Sequence, residues 1–173
     1  MIHVIREYQP EQDMPSLRAC IVELQESERR FEPALPAGTA MADAYLTYLV
    51  ERCDEYHGQL FVAEVERTVV GFICVWARVP PTEPDEPPAE YAYVSDLVVL
   101  APVRRRGLGR ALLERAEKYA RAQGARVLRI GVLAQNLVAK QLYLDAGFTE
   151  RRIELTKDLG EESQEKQGVA TPH

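Results

Sequence analysis

Two short stretches of this 173-residue sequence carry residue types that suit chemistry. The first is Arg104-Arg105-Arg106-Gly107-Leu108-Gly109-Arg110, set between an apolar run and an amphipathic one. Glycines let a backbone approach a ligand closely, and a helix start presents N–H groups that have no intrahelical acceptor. Together with the positive end of the helix dipole and the arginine charges, this suits a diphosphate. The alternative for this stretch alone is a tight strand-to-helix turn with a solvated basic cluster. It is not a dinucleotide fingerprint, because Leu112 stands where a third glycine belongs and the run 127–133 ends without an acid. Nor is it a P-loop, since no G-K-[ST] follows.

The second stretch runs Asn136-Leu137-Val138-Ala139-Lys140-Gln141-Leu142-Tyr143-Leu144-Asp145-Ala146-Gly147-Phe148. At about 100° per residue, Asn136, Ala139 and Tyr143 fall on one helix face. That face offers a hydrogen-bonding amide, room for a ligand and a phenol that can donate a proton. The alternatives are that Asn136 caps the helix and that Tyr143 edges a core.

The elements that must position these stretches follow from the periodicity. Residues 1–9 read as a short strand ended by Pro10, and Asp13 has the character of an N-cap for a helix over 14–31. A proline-containing break at 32–38 leads to a second helix over about 40–56, with Tyr45, Leu46, Leu49 and Cys53 on one side. Strands follow at 60–66 and 69–79, then a proline-rich loop over 80–88 and a strand over 91–100. From Arg106 a helix carries Leu108, Leu112, Ala116 and Tyr119 as one stripe, and Gly124 closes it. A strand over 127–133, a short helix over 136–146 and a last strand or pair of strands over 148–159 complete the order β-α-α-β-β-β-α-β-α-β. This predicts one mixed α/β domain over 1–159 and a disordered polar tail over 160–173.

Composition narrows the function classes. Hydrophobic residues make up 46% and charged residues 28%, an ordinary globular balance. No apolar run approaches the roughly 18 residues that a membrane span needs, and the N-terminus reads as a strand rather than a secretion signal. Cys20, Cys53 and Cys74 form no C-x-x-C pair, and His3, His57 and His173 are isolated. A metal site is therefore not expected, and the scattered thiols suit a reducing cytoplasm. The net charge of −6 argues against general nucleic-acid binding and is compatible with a cationic substrate.

Together the two stretches resemble the GNAT superfamily of acetyl-CoA-dependent N-acetyltransferases. Its cofactor motif [QR]-x-x-G-x-[GA] is matched by Arg104, Gly107 and Gly109, and its later motif N-x-x-A-x-x-x-Y-x-x-x-G-F by Asn136, Ala139, Tyr143, Gly147 and Phe148. A proline that members often carry three residues before the motif arginine is Ala101 here, with Pro102 one place later. The resemblance implies a mostly antiparallel sheet flanked by helices, and acetyl-CoA as co-substrate with no metal. It implies that Leu97, Val98 and Val99 lie along the pantetheine arm, and that backbone N–H groups from Arg104 to Arg110, including Arg105, Arg106 and Leu108, hold the pyrophosphate. Asn136, Ala139 and Tyr143 would face the cofactor, and a backbone N–H near Val98 would stabilise the oxyanion of a tetrahedral intermediate. Tyr143 would protonate the departing thiolate. Association into a homodimer through the last strands is common in that family.

The acceptor amine must lose a proton before it attacks, because lysine-like amines titrate near ~10.4. Some members use a glutamate midway along the strand before the glycine turn, and Tyr91-Ala92-Tyr93-Val94-Ser95-Asp96-Leu97 contains none. Asp96 is the nearest acid, although strict alternation puts it opposite Tyr93, Ser95 and Leu97 unless a bulge intervenes. Glu90, or a water chain past Tyr93 and Ser95, are the other candidates. The segment Glu28-Arg29-Arg30-Phe31-Glu32-Pro33, aromatic and acidic, suits a small-molecule amine with some apolar body. The acidic loop 83–90 would attract a polycation, or is simply a solvated loop. Acetylation of a protein N-terminus or lysine, and a silent CoA-binding sensor, are the rival readings.

Overall fold

The computed structural model describes residues 3–159. The chain opens with β1 (His3–Glu7) and then α1 (Pro10–Glu28) and α2 (Gly38–Glu55). β2 (Gln59–Val65), β3 (Thr68–Val79) and β4 (Tyr91–Val99) follow. A 3-10 turn at Ala101–Val103 leads into α3 (Leu108–Ala122), then β5 (Leu128–Ile130) and α4 (Leu137–Asp145). The sheet runs β1-β2-β3-β4-β5, antiparallel except for the parallel β4–β5 pair. It is the mixed, mostly antiparallel domain expected from the sequence. Among the described residues, no helix is long and apolar enough to cross a membrane.

Two apolar layers sandwich the sheet. On one face Phe61, Ile73, Val75, Ala92 and Val94 pack under α3 and α4, with Leu112 and Tyr143. On the other, Val62, Phe72, Cys74 and Val98 pack under α1 and α2, with Leu17, Ile21 and Leu49. Gly71 of β3 lets β4 lie close: a Cβ there would stand 2.5 Å from the Val98 carbonyl oxygen.

β4 breaks its own alternation. Asp96 lies opposite Cys74, but Val94 lies opposite Val75, so Ser95 is an extra residue in the strand. Ala92 and Val94 face α3, and so do Leu97 and Val99 past the bulge. Asp96 is thereby turned to the α1–α2 face, where Tyr45 of α2 donates to its Oδ1 at 2.9 Å. β5 pairs with β4 only at Ala92, Tyr93 and Val94. From Ser95 onward that edge of β4 has no strand beside it among the described residues.

Three expectations need correction. Asp13 is not an N-cap: α1 starts at Pro10, with Gln9 as its cap residue and a proline ring that presets the first helical turn. Asp13 instead lies in the first turns, 2% exposed, captured by Arg6 of β1 at 2.6 and 2.8 Å. Arg6 also donates to Glu64 of β2 at 2.8 Å, so one guanidinium ties β1, β2 and α1 together. The strand expected over 127–133 is only Leu128–Ile130, because its pairing stops where the β4 bulge begins. No strand forms over 148–159. There Ile153 and Leu155 are 74% and 90% exposed, so the segment buries little apolar surface to offset the cost of ordering its backbone. The tail over 160–173 lies outside the described residues.

The Arg6–Asp13 pair sets a stability prediction. Asp13→Ala should lower stability by about 2–3 kcal/mol, read as the urea midpoint at pH 7. The hydrogen bond from Arg6 holds the Asp13 carboxyl below 3.8, against the opposing effect of burial. Its contribution is therefore whole above that value and lost as pH falls through the depressed one. The gap between wild type and variant should narrow toward acid.

Candidate active site

The glycine turn opens the N-terminus of α3 through backbone conformation alone. Arg105 and Gly107 both adopt left-handed conformations, with φ of 63° and 82°. A Cβ on Gly107 would meet nothing within 4 Å, so glycine is suited there by its dihedral rather than by space. Gly107 caps α3 without a side-chain bond, and the first intrahelical bond is Ala111 N–H to the Gly107 carbonyl at 3.0 Å. The N–H groups of Leu108, Gly109 and Arg110 precede that bond and point off the helix end.

Arg104 works beneath this turn. Its Nε donates to the Val99 carbonyl at 2.7 Å and its Nη2 to Glu23 of α1 at 3.0 Å. Glu23 also accepts from the Ala101 N–H at 2.7 Å. The motif arginine thus pins the turn to the end of β4 and to α1. Arg110 pairs with Glu114 on the exposed side of α3 at 3.2 Å. Beside the turn runs the free edge of β4 at Leu97, Val98 and Val99. An extended chain ending in a diphosphate fits this combination of bare strand edge and open helix N-terminus.

Around Asp96 the structure gathers groups that are distant in sequence. Asp96 is 7% exposed, and its Oδ2 is buried with no hydrogen-bond partner. Burial raises its pKa, and the hydroxyls of Ser95 and then Tyr45 oppose that rise. Glu28, the last residue of α1, has a carboxyl raised first by burial and then by the charges of Asp96 and Glu32. Tyr143 on α4 is 9% exposed, and its phenol is pushed well above 10 by burial, with Glu28, Asp96 and Tyr93 adding to the rise. Glu28, Asp96, Tyr93 and Tyr143 therefore share one electrostatic neighbourhood spanning both faces of the sheet where β4 and β5 part.

Other expected site residues have structural duties. Asn136 caps α4, its Oδ1 accepting from the Ala139 N–H at 3.1 Å. Ala139 packs against the α3 face of the core. Glu90 stands exposed just ahead of β4. The sequence reading placed Glu28 only among specificity residues. No local motif marks it, and it meets Asp96 only because α1 packs across β4.

Two cavities adjoin the parting strands. The larger, about 850 Å³, runs along β5, the C-terminal half of α3 and the segment after α4, at the far end from the Gly107 turn. The smaller, about 550 Å³, is lined by Tyr45, Tyr48, Trp76, Tyr93 and Ser95. Tyr93 lines both. Among the described residues, no group of three or more His, Cys, Asp or Glu side chains is arranged to hold a metal ion.

Known proteins share this fold and parts of this sequence. The profile of the Acetyltransferase (GNAT) family matches residues 21–148. The chain is 32% identical over 94 residues to the uncharacterized N-acetyltransferase YycN of Bacillus subtilis, covering 54% of this chain and 56% of that one. It is 30% identical over 112 residues to the uncharacterized N-acetyltransferase MJ1207 of Methanocaldococcus jannaschii, covering 63% and 46%. The chain thus spans about half the length of these curated relatives. The fold superposes on AAC(6')-Iy, solved with the bisubstrate analog CoA-S-monomethyl-acetylneamine, at a TM-score of 0.67. The two are 18% identical, with 91% of this chain and 99% of that one covered. With the family profile spanning most of its length and both motif stretches, the chain belongs to the GNAT family of acetyltransferases, a family of acyltransferases.

Proposed function

We propose that this chain moves an acetyl group from acetyl-CoA to a primary amine of a small molecule, by direct attack through a tetrahedral intermediate. The observation that carries the reading is the buried Asp96 carboxylate. Its Oδ2 lacks a partner, and it lies on β4 just where β5 no longer covers the strand edge. A carboxylate desolvated in this way is a stronger base than one in water, which suits removal of a proton from an ammonium group.

In this reading the N–H groups of Leu108, Gly109 and Arg110, with the exposed charges of Arg105 and Arg106 nearby, hold the pyrophosphate. The free edge of β4 at Leu97, Val98 and Val99 holds the pantetheine arm. Acetyl-CoA supplies the thioester acetyl group. Asp96 takes a proton from the acceptor ammonium, and the neutral nitrogen then bonds to the carbonyl carbon. A backbone N–H near Val98 stabilises the oxyanion. As the carbon–sulfur bond breaks, Tyr143 gives its proton to the leaving sulfur, and the extra proton that the amide nitrogen sheds restores the phenol. A phenol held above its ordinary pKa stays protonated until that moment, as an acid must. The AAC(6')-Iy complex with a neamine bisubstrate supports a small-molecule amine as acceptor.

Thiol release from acetyl-CoA over a panel of arylalkylamines, polyamines, aminoglycosides and short peptides tests the reaction. Silence across the panel, with acetyl-CoA still bound, would overturn it. Tyr143→Phe should lower kcat about 100-fold with little change in the KM for acetyl-CoA. Full turnover in that variant would remove Tyr143 as the acid. Asp96 works only when ionised, so kcat should fall as pH drops through a pKa that burial holds above 3.8. Asp96→Asn should lose that acid limb and about 100-fold in rate; an unchanged profile counts against Asp96. Gly107→Ala should cost about 1–2 kcal/mol through its left-handed dihedral and raise the KM for acetyl-CoA several-fold. Thermal melting read beside the kinetics separates those two effects.

A further inference from the structure

The smaller cavity is an aromatic box. Tyr45 stacks on Tyr48 with ring centroids 5.7 Å apart, and Tyr48 meets Trp76 edge-on at 6.2 Å. Trp76 lies tilted against Tyr93 at 5.7 Å. These four side chains and Ser95 line an open depression of about 550 Å³. The box is continuous with Asp96, because Ser95 precedes Asp96 in the strand and Tyr45 holds its Oδ1. Trp76 Nε1 in its wall and Asp96 Oδ2 behind it are buried without a hydrogen-bond partner. Buried polar groups are normally satisfied, so these two beside one aromatic depression mark it as a candidate ligand seat.

Resting on the acetyl-transfer reading, we infer that the acceptor is a monoamine on a flat apolar body, an arylalkylamine. Its nitrogen would face Asp96 Oδ2 and its ring would lie among Tyr45, Tyr48, Trp76 and Tyr93. The lining favours one amine on an apolar body over a polycation. None of its five residues carries a charge, Asp96 is reached through Tyr45, and at the outer rim the Arg52 guanidinium, 5.2 Å from the Tyr48 ring centroid, is paired with Glu55. The acidic loop does not line the box, and its Glu86 pairs at 3.5 Å with Arg129, beside the larger cavity. A polyamine or aminoglycoside would set most of its hydroxyls and ammoniums against aromatic faces, whereas an aryl ring would lie flat on them.

The chain has a single tryptophan, and it lies in the wall of this box, so its emission reports occupancy without turnover. The full chain is titrated with 2-phenylethylamine, spermidine and kanamycin. A saturable emission change is expected with 2-phenylethylamine at a concentration at least about tenfold below either polycation. Tyr48 is 38% exposed, so Tyr48→Ala removes one wall without opening the core. It should weaken 2-phenylethylamine about tenfold and leave acetyl-CoA binding intact, while Tyr48→Phe restores the affinity. Tighter binding of spermidine or kanamycin, or indifference to Tyr48→Ala, would overturn the inference. The two readings fail separately. Phenylethylamine that binds without thiol release keeps the aryl seat and overturns acetylation of that amine. Thiol release with polycations alone, with no change in emission, overturns the aryl seat and keeps acetyl transfer.

Discussion

A central strand normally satisfies both of its edges, and β4 does so only from Ala92 to Val94. The extra residue at Ser95 ends that regime. It shifts the strand's pleat by one residue, turns Asp96 toward α2 and coincides with the point where β5 departs. Three features of the candidate site follow from this dislocation. The bare edge of β4, the carboxylate beneath it and the gap between two parallel strands are three aspects of one local irregularity. Bulges recur beside active sites because they re-aim a single side chain without dismantling the sheet.

Placing a carboxylate there is costly. An acid with one oxygen unpartnered in an apolar setting persists only when its surroundings leave it no alternative. Here those surroundings are firm. Cys74 stands opposite Asp96 on β3, Tyr45 holds one oxygen, and Gly71 keeps β3 and β4 in close register near Val98. The same desolvation that strains Asp96 also raises Glu28 and Tyr143, so one electrostatic field sets the protonation of all three. The ion-paired Arg6–Asp13 arrangement at the other end of the sheet shows the contrast. There a buried acid is fully answered and its pKa falls.

The local conformations at the candidate site were legible in the sequence: Gly107 and Gly109 announced a helix start, and Asn136 announced the cap of the helix that carries Ala139 and Tyr143. What escaped depends on contacts between distant segments. Whether Asp96 faced the right way turned on a bulge that alternation alone could not locate. Trp76 and Tyr45 sit in ordinary apolar runs, and only the packing of α2 over β3 makes them walls of a cavity. Asp13 read as a cap because its type and place suit one, until Arg6 of a neighbouring strand claimed it. The run over 148–159 has strand-like residues yet meets too short an edge at β5 to pair.

Helix α1 touches both halves of the site. Glu23, near its end, is bonded to Ala101 and Arg104 under the glycine turn, while Glu28 ends the same helix within the field of Asp96. In the proposed reaction one rigid rod has a footing under the diphosphate end and another beside the acceptor end. Thermodynamic reciprocity would then couple the two ligands: whatever firmness one lends the helix on arrival, the other receives by the same amount. The size of that coupling would be set by the stiffness of a single turn and a half of helix.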